Sequence, residues 1–217
     1  MEYKAIIFDM DGTLLNTLED LADAMNRTLE ERGFPSHPVK AYRYFVGNGA
    51  AKLVSRALPP EKRHEDLVAD CMKAFLKEYD RNWHRKTRPY DGVAELLDAL
   101  TLKRIPMAIF TNKPHEFAQL CVREFLRKWK FKAVFGQRKG YPMKPDPAVP
   151  REIAGMLNIS PEQFLYLGDS DADMETAVNA GMLPVGALWG FRFEEELQNA
   201  GAGALISRPT ELLKFLN

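Results

Sequence analysis

The sequence predicts an α/β fold: a parallel sheet with helices on both faces, carrying an inserted all-helical segment. Three observations predict it. Short apolar runs recur along the chain, each ending in polar, reactive residues. Helical patterns separate these runs, and strand–helix alternation argues for a parallel sheet. The alternation stops once, for about seventy residues from Leu15 to Arg85, where every pattern is helical.

The first strand is Lys4 to Phe8, and it ends in Asp9-Met10-Asp11-Gly12-Thr13. In extended backbone the i, i+2 spacing of Asp9 and Asp11 puts both carboxylates on one side. Two acids so placed repel, and a bound cation or a proton is the usual offset. An acidic Gly turn is also a common solvated feature. In the helical stretch, Thr17 and Asp20 resemble a capping box. Leu18, Leu21, Ala22, Met25 and Leu29 then form one stripe, ended by Gly33 and Pro35. Ala50 to Leu58 reads as a second helix. Leu67, Val68, Cys71, Met72, Phe75, Leu76 and Tyr79 mark a third.

The core resumes at Arg88-Pro89-Tyr90-Asp91-Gly92, and a helix with Val93, Leu96, Leu97 and Leu100 follows. The strand Met107 to Phe110 ends in Thr111-Asn112. The run Ala133 to Phe135 leads to a loop carrying Lys144-Pro145-Asp146-Pro147. Helices are marked by Phe117, Leu120, Cys121 and Phe125, and by Ile153, Met156 and Leu157. Phe164 to Leu167 ends in Gly168-Asp169-Ser170-Asp171-Ala172-Asp173. A helix from Asp171 to Ala180 stops at Gly181. Strands Leu183–Ala187 and Ala204–Ile206 and a helix from Pro209 to Phe215 complete the chain. Parallel sheets bind ligands at the carboxyl ends of their strands, so all four polar clusters fall on one rim.

Composition narrows the function classes. Thirty basic and thirty acidic residues cancel, which points away from nucleic acid as a partner. No apolar stretch approaches the roughly 20 residues of a membrane span. The first strand begins too early for a signal peptide. Cys71 and Cys121 sit in helical stripes without metal spacing and read as buried thiols of a reducing, cytoplasmic compartment. His37, His64, His84 and His115 are scattered and form no metal cluster.

The four rim clusters, in this order, resemble the haloacid dehalogenase (HAD) superfamily of phosphohydrolases. The motifs are Asp9-Met10-Asp11-Gly12-Thr13, Thr111-Asn112, Lys144 and Gly168-Asp169-Ser170-x-x-Asp173. The resemblance implies a Rossmann-like core over residues 1–14 and 87–217, with a helical cap over 15–86. It further implies hydrolysis of a small phosphorylated metabolite with Mg2+, through an aspartyl-phosphate on Asp9. Asp11 would be general acid and base, with its backbone carbonyl on the metal beside Asp9 and Asp169. Asp173 and Ser170 would orient the metal site from behind. Thr111, Asn112 and Lys144 would cradle the phosphate, and Thr13 would contact substrate. Read structurally instead, Lys144 is a solvated loop lysine, Thr111 a helix N-cap, and Asp173 a cap of the helix at Asp171.

Val46-Gly47-Asn48-Gly49-Ala50-Ala51-Lys52-Leu53-Val54 resembles the specificity loop of the phosphoglycolate phosphatase branch, with Gly49 and Lys52 at the substrate. A plain helix–helix turn is the other reading of that loop. Asn16 departs from related phosphatases, where an acid is common. Phosphonoacetaldehyde hydrolase, with Lys52 as a Schiff-base amine, is an alternative. A phosphomutase and a non-catalytic phospholigand-binding protein are others. Dehalogenation is disfavoured, because that branch lacks the second acid supplied here by Asp11. A monomer or a small homo-oligomer is expected.

Overall fold

The structure is a computed structural model that describes residues 2–216. In chain order it begins with β1 (Ala5–Phe8), β2 (Leu15–Asn16), α1 (Leu18–Glu30), α2 (Tyr42–Phe45), α3 (Ala50–Ala57) and α4 (Glu65–Asn82). Next come β3 (Arg88–Pro89), α5 (Val93–Leu102), β4 (Met107–Pro114), α6 (His115–Phe125), β5 (Ala133–Gln137) and α7 (Ala148–Leu157). The last elements are β6 (Phe164–Gly168), α8 (Asp171–Ala180), β7 (Leu183–Ala187), α9 (Glu194–Asn199) and β8 (Ala204–Ile206). The final segment, Pro209–Phe215, is a 3-10 helix rather than an α-helix. Two compact units result: Met1–Leu15 with Pro89–Asn217, and Asn16–Arg88.

The larger unit holds a six-stranded sheet in the order β5-β4-β1-β6-β7-β8. Every pairing in it is parallel. β1 and β6 are buried along their whole length, because helices cover both faces. One face packs Ala5, Ile7, Phe110, Phe135, Ile153 and Tyr166 into a common core. From β1 the chain builds outward to one side through β4 and β5, then returns to the other side of β1 with β6, β7 and β8. The strand order therefore reverses at β1, and the crevice for a ligand opens at its carboxyl end, between β4 and β6. Phe8 is level with Ile109 on one side and Leu167 on the other. That register puts Asp9 level with Phe110 and Gly168, and Thr111 and Asp169 follow one residue further along the neighbouring strands.

The smaller unit is built from the amphipathic faces of α1 and α4, which pack on each other. Leu21, Met25 and Leu29 of α1 and Cys71, Phe75 and Tyr79 of α4 are buried. Phe75 and Tyr79 stack with ring centroids 5.7 Å apart. Both cysteines are buried, and neither is in a disulfide. Among the described residues no helix is long and apolar enough to cross a membrane.

The capping box expected at Thr17 and Asp20 is absent. Thr17 precedes α1 without a side-chain cap bond, and its hydroxyl is buried without a partner. The Asn16 side-chain oxygen instead accepts from Leu18 N–H at 3.4 Å. Asp20 turns toward the end of the same unit. Its carboxylate accepts from the backbone N–H of Lys86 (3.0 Å) and Thr87 (2.8 Å) and from the Thr87 hydroxyl (2.8 Å). Three donors 66 or 67 residues away outweigh one local N–H, and sequence spacing holds no trace of them. Asp20 is 1% exposed, so its loss leaves those donors in a dry environment. Asp20→Ala is expected to destabilise the protein by about 2–4 kcal/mol. Urea unfolding checks this, and a loss below about 1 kcal/mol would remove the role assigned to these bonds.

Candidate active site

The turn after β1 starts from backbone fixed at both ends. Asp9 N–H donates to Leu167 of β6 at 2.9 Å. The Met10 carbonyl accepts from Leu14 and Leu15, which winds the loop tightly. Gly12 completes the wind at φ +91°, a conformation that favours glycine. A Cβ on Gly12 would also lie 2.2 Å from an Asp169 carboxylate oxygen.

Asp9, Asp169 and Asp173 form one buried cluster, with an oxygen of each within 4.8 Å of the others. Lys144 enters from the loop after β5. Its ammonium lies 2.8 Å from Asp9 Oδ1 and 2.5 Å from Asp173 Oδ1. Its own backbone N–H is held by the Asn112 side-chain oxygen at 3.0 Å. The Phe110 and Tyr166 rings flank the ammonium, at 5.5 and 5.8 Å. Lys144 is thus a buried cation and not a solvated lysine.

Asp173 has two tasks. Its Oδ1 takes the lysine, and its Oδ2 accepts from Ser170 N–H (3.1 Å) and Ser170 hydroxyl (2.6 Å). That is a capping box on α8, so the helix-cap reading holds together with the ion pair. Asp169 accepts from the Thr13 hydroxyl at 2.9 Å and from Phe191 N–H at 2.7 Å. Thr13 thus gives its hydroxyl proton to Asp169. Thr111 is a buried residue of β4 and not a helix N-cap. Its hydroxyl oxygen accepts from Lys113 N–H at 3.3 Å.

Asp11 sits beside this cluster. Its carboxylate pairs with Lys113, whose ammonium is 3.0 and 3.3 Å from the two oxygens. In the other unit, Gly49 adopts φ +84° immediately before α3. Lys52 is an exposed residue of that helix.

Three residues at the site have roles that the sequence does not assign to them. Lys113 was hidden because a lysine after Thr-Asn reads as solvated until a buried partner is known. Phe191 serves through its backbone N–H, which leaves no side-chain signature. Gly190 serves by lacking a side chain. A Cβ there would lie 2.2 Å from Asp169 Cβ. The loop holding these last two also places Trp189, whose indole N–H donates to the Thr13 carbonyl at 3.0 Å.

Electrostatics fit a cation. With all three ionised, the buried carboxylates would exceed the one ammonium by two negative charges, the complement of a divalent ion. Burial pushes Asp9 up to about 7, with the Asp173 charge adding to the rise and Lys144 opposing it. Burial also holds Asp169 well above the usual carboxylate range, reinforced by Asp9 and Asp173. Burial alone would lower Lys144, but Asp173 and Asp9 hold it well above the ordinary lysine value. Hard carboxylate oxygens suit Mg2+ and not a soft metal.

The profile of the family described as haloacid dehalogenase-like hydrolase matches residues 6–187. A phosphoglycolate phosphatase of Pseudomonas putida is 35% identical over 192 residues, covering 87% of this chain and 70% of its own. A phosphoglycolate phosphatase of Mannheimia succiniciproducens is 32% identical over 221 aligned positions, covering 99% of each chain. The crystal structure of a candidate phosphoglycolate phosphatase from Lactobacillus delbrueckii subsp. bulgaricus superposes with a TM-score of 0.93. It is 30% identical and covers all of both chains.

Two outcomes follow from the buried charge. A carboxyl with a higher pKa in the fold than in the unfolded chain holds its proton more tightly when folded. Its contribution to stability therefore declines as pH rises from about 4 through about 7. In chelator at pH 8, Asp9→Asn should exceed the wild type in stability by on the order of a few kcal/mol. The gap should close toward pH 4, as calorimetry would show. A less stable variant at pH 8 would contradict the assignment. Separately, Gly190→Ala should displace Asp169 and cost about 1–3 kcal/mol. Unchanged thermal stability and unchanged Mg2+ affinity would show that the loop yields to the new methyl group.

Proposed function

The chain belongs to the haloacid dehalogenase-like hydrolase family, and from that premise we propose that it is a Mg2+-dependent phosphomonoester phosphatase working through an aspartyl-phosphate on Asp9. One observation carries the reading. A carboxylate at the mouth of a parallel sheet, Asp9, is held by a buried lysine among acids whose surplus charge matches a divalent cation.

Asp9, Asp169 and the Asp11 backbone carbonyl are the groups we assign to Mg2+. When bound, the ion offsets the repulsion between a carboxylate and a phosphate dianion. An Asp9 oxygen attacks phosphorus as the bond to the leaving oxygen breaks. The proton on the Asp11 carboxyl passes to that oxygen, and the alcohol leaves. Asp11, now a carboxylate, takes a proton from water as the water oxygen attacks the aspartyl-phosphate. Inorganic phosphate departs and Asp9 is regenerated. Lys144 stays paired with Asp9 and offsets negative charge on the transferring group, with Thr111 and Asn112 beside it. Asp173 and Ser170 orient Lys144, and Thr13 orients Asp169.

Phosphoglycolate is the substrate we favour. The named activity of the Pseudomonas and Mannheimia relatives supports it. So does the Gly47-Asn48-Gly49 turn ahead of α3, with positive φ at both glycines, which we assign to the substrate's anionic end. We read the Asn16–Arg88 unit as the substrate-selecting cap, with Gly49 and Lys52 as its candidate substrate-binding residues. An exposed Lys52 does not favour the Schiff-base alternative, since such amines are activated by desolvation or a neighbouring cation. The absence of a disulfide at the buried Cys71 and Cys121 is in keeping with a reducing cytoplasm.

Purified protein should hydrolyse phosphoglycolate far faster than other phosphomonoesters, lose activity in chelator and regain it with Mg2+. Asp9→Asn should be inactive while folded. Lys52→Ala should raise KM more than it lowers kcat. Near-wild-type turnover by Asp9→Asn would sink the mechanism. Equal slow turnover of many esters would remove phosphoglycolate. A borohydride-trapped adduct of phosphonoacetaldehyde on Lys52 would replace the phosphatase reading with the hydrolase one.

A further inference from the structure

Lys113 has no part in the chemistry assigned above, yet it is a charged side chain only 2% exposed. An ammonium is not buried without a partner. Its ion-pair partner is Asp11, and both carboxylate oxygens lie within 3.3 Å of it. The backbone that carries Lys113 is irregular, because the β4–β5 register shifts between Phe110 and Pro114. Lys113 N–H donates to Thr111 rather than continuing a regular ladder. The departure from strand geometry coincides with the residue that reaches Asp11.

The two acids of the β1 turn are thus divided between two lysines from different elements. Lys144 takes Asp9, and Lys113 takes Asp11. We propose that Lys113 is a positioning residue that holds the Asp11 carboxyl toward the leaving-group oxygen, as Lys144 holds the nucleophile. This rests on the phosphatase reading. Lys113 acts through Asp11, and its removal frees that side chain to turn away from the bond being broken. The loss falls on leaving-group protonation and spares attack at phosphorus.

An ester whose leaving group departs without a proton tests this. Wild type, Lys113→Met, Asp11→Asn and the double variant are compared with Mg2+ on phosphoglycolate, an alkyl ester, and on p-nitrophenyl phosphate. Lys113→Met should lose about 10-fold or more in kcat on phosphoglycolate, and at most a few-fold on p-nitrophenyl phosphate, with KM little changed. The double variant should be within about 2-fold of Asp11→Asn, because the two positions act as one unit. Equal losses on both esters, or losses that multiply in the double variant, would overturn the proposal. Should Lys113→Met fail to fold, the double variant against Asp11→Asn still decides, since it leaves neither charge behind. Wild-type protein that cleaves neither ester would instead overturn the phosphatase reading.

Discussion

Concentrated negative charge in a dry place is the constraint on which the rest of the structure depends. Asp9, Asp169 and Asp173 are each at most 6% exposed, and their oxygens lie within 4.8 Å of one another. Such a cluster opposes folding unless each oxygen is paired or neutralised. The elements around it can be understood as the means of doing so. Lys144 supplies the cation, and Asn112 anchors the backbone of Lys144. Ser170 donates twice to Asp173, while Thr13 and Phe191 donate to Asp169. Gly12 and Gly190 leave the volume that Asp169 occupies.

The same constraint explains why this chemistry sits at the reversal of strand order. There the connections leave β1 toward opposite sides of the sheet, so that the loops after β4, β1 and β6, distant in sequence, converge. Thr13 and Asp169 are 156 residues apart, and Trp189 reaches Thr13 across 176. Each loop thereby fixes its neighbour. A shift of the loop after β7 would loosen Asp169 through Phe191, and the β1 turn through Trp189.

Much of this was legible in the sequence, for a physical reason. Strands buried on both faces are continuous apolar runs, and their ends are abrupt. Phe8-Asp9 and Gly168-Asp169 therefore announce themselves, and the Asp171–Ala180 helix has its Gly181 stop. The α8 capping box is local, and its partners are three residues apart. Asp20 was misread for the opposite reason: its carboxylate serves backbone at Lys86 and Thr87, invisible to any local pattern. Lys113 was passed over because burial of a lysine is a tertiary fact. Phe191 and Gly190 contribute an N–H and an empty space, and neither has a side-chain signal.

The most direct test is calorimetric titration of the protein with Mg2+ in buffers of different ionisation enthalpy. If the ion offsets the charge of carboxyls that burial keeps protonated, its binding must expel protons. Near pH 6, below the value of about 7 for Asp9, the heat should depend on the buffer and report about one proton or more released per ion. That release should shrink as pH rises. Mg2+ binding at pH 6 with no dependence on buffer, or no binding at all, would contradict the claim that a cation completes this cluster.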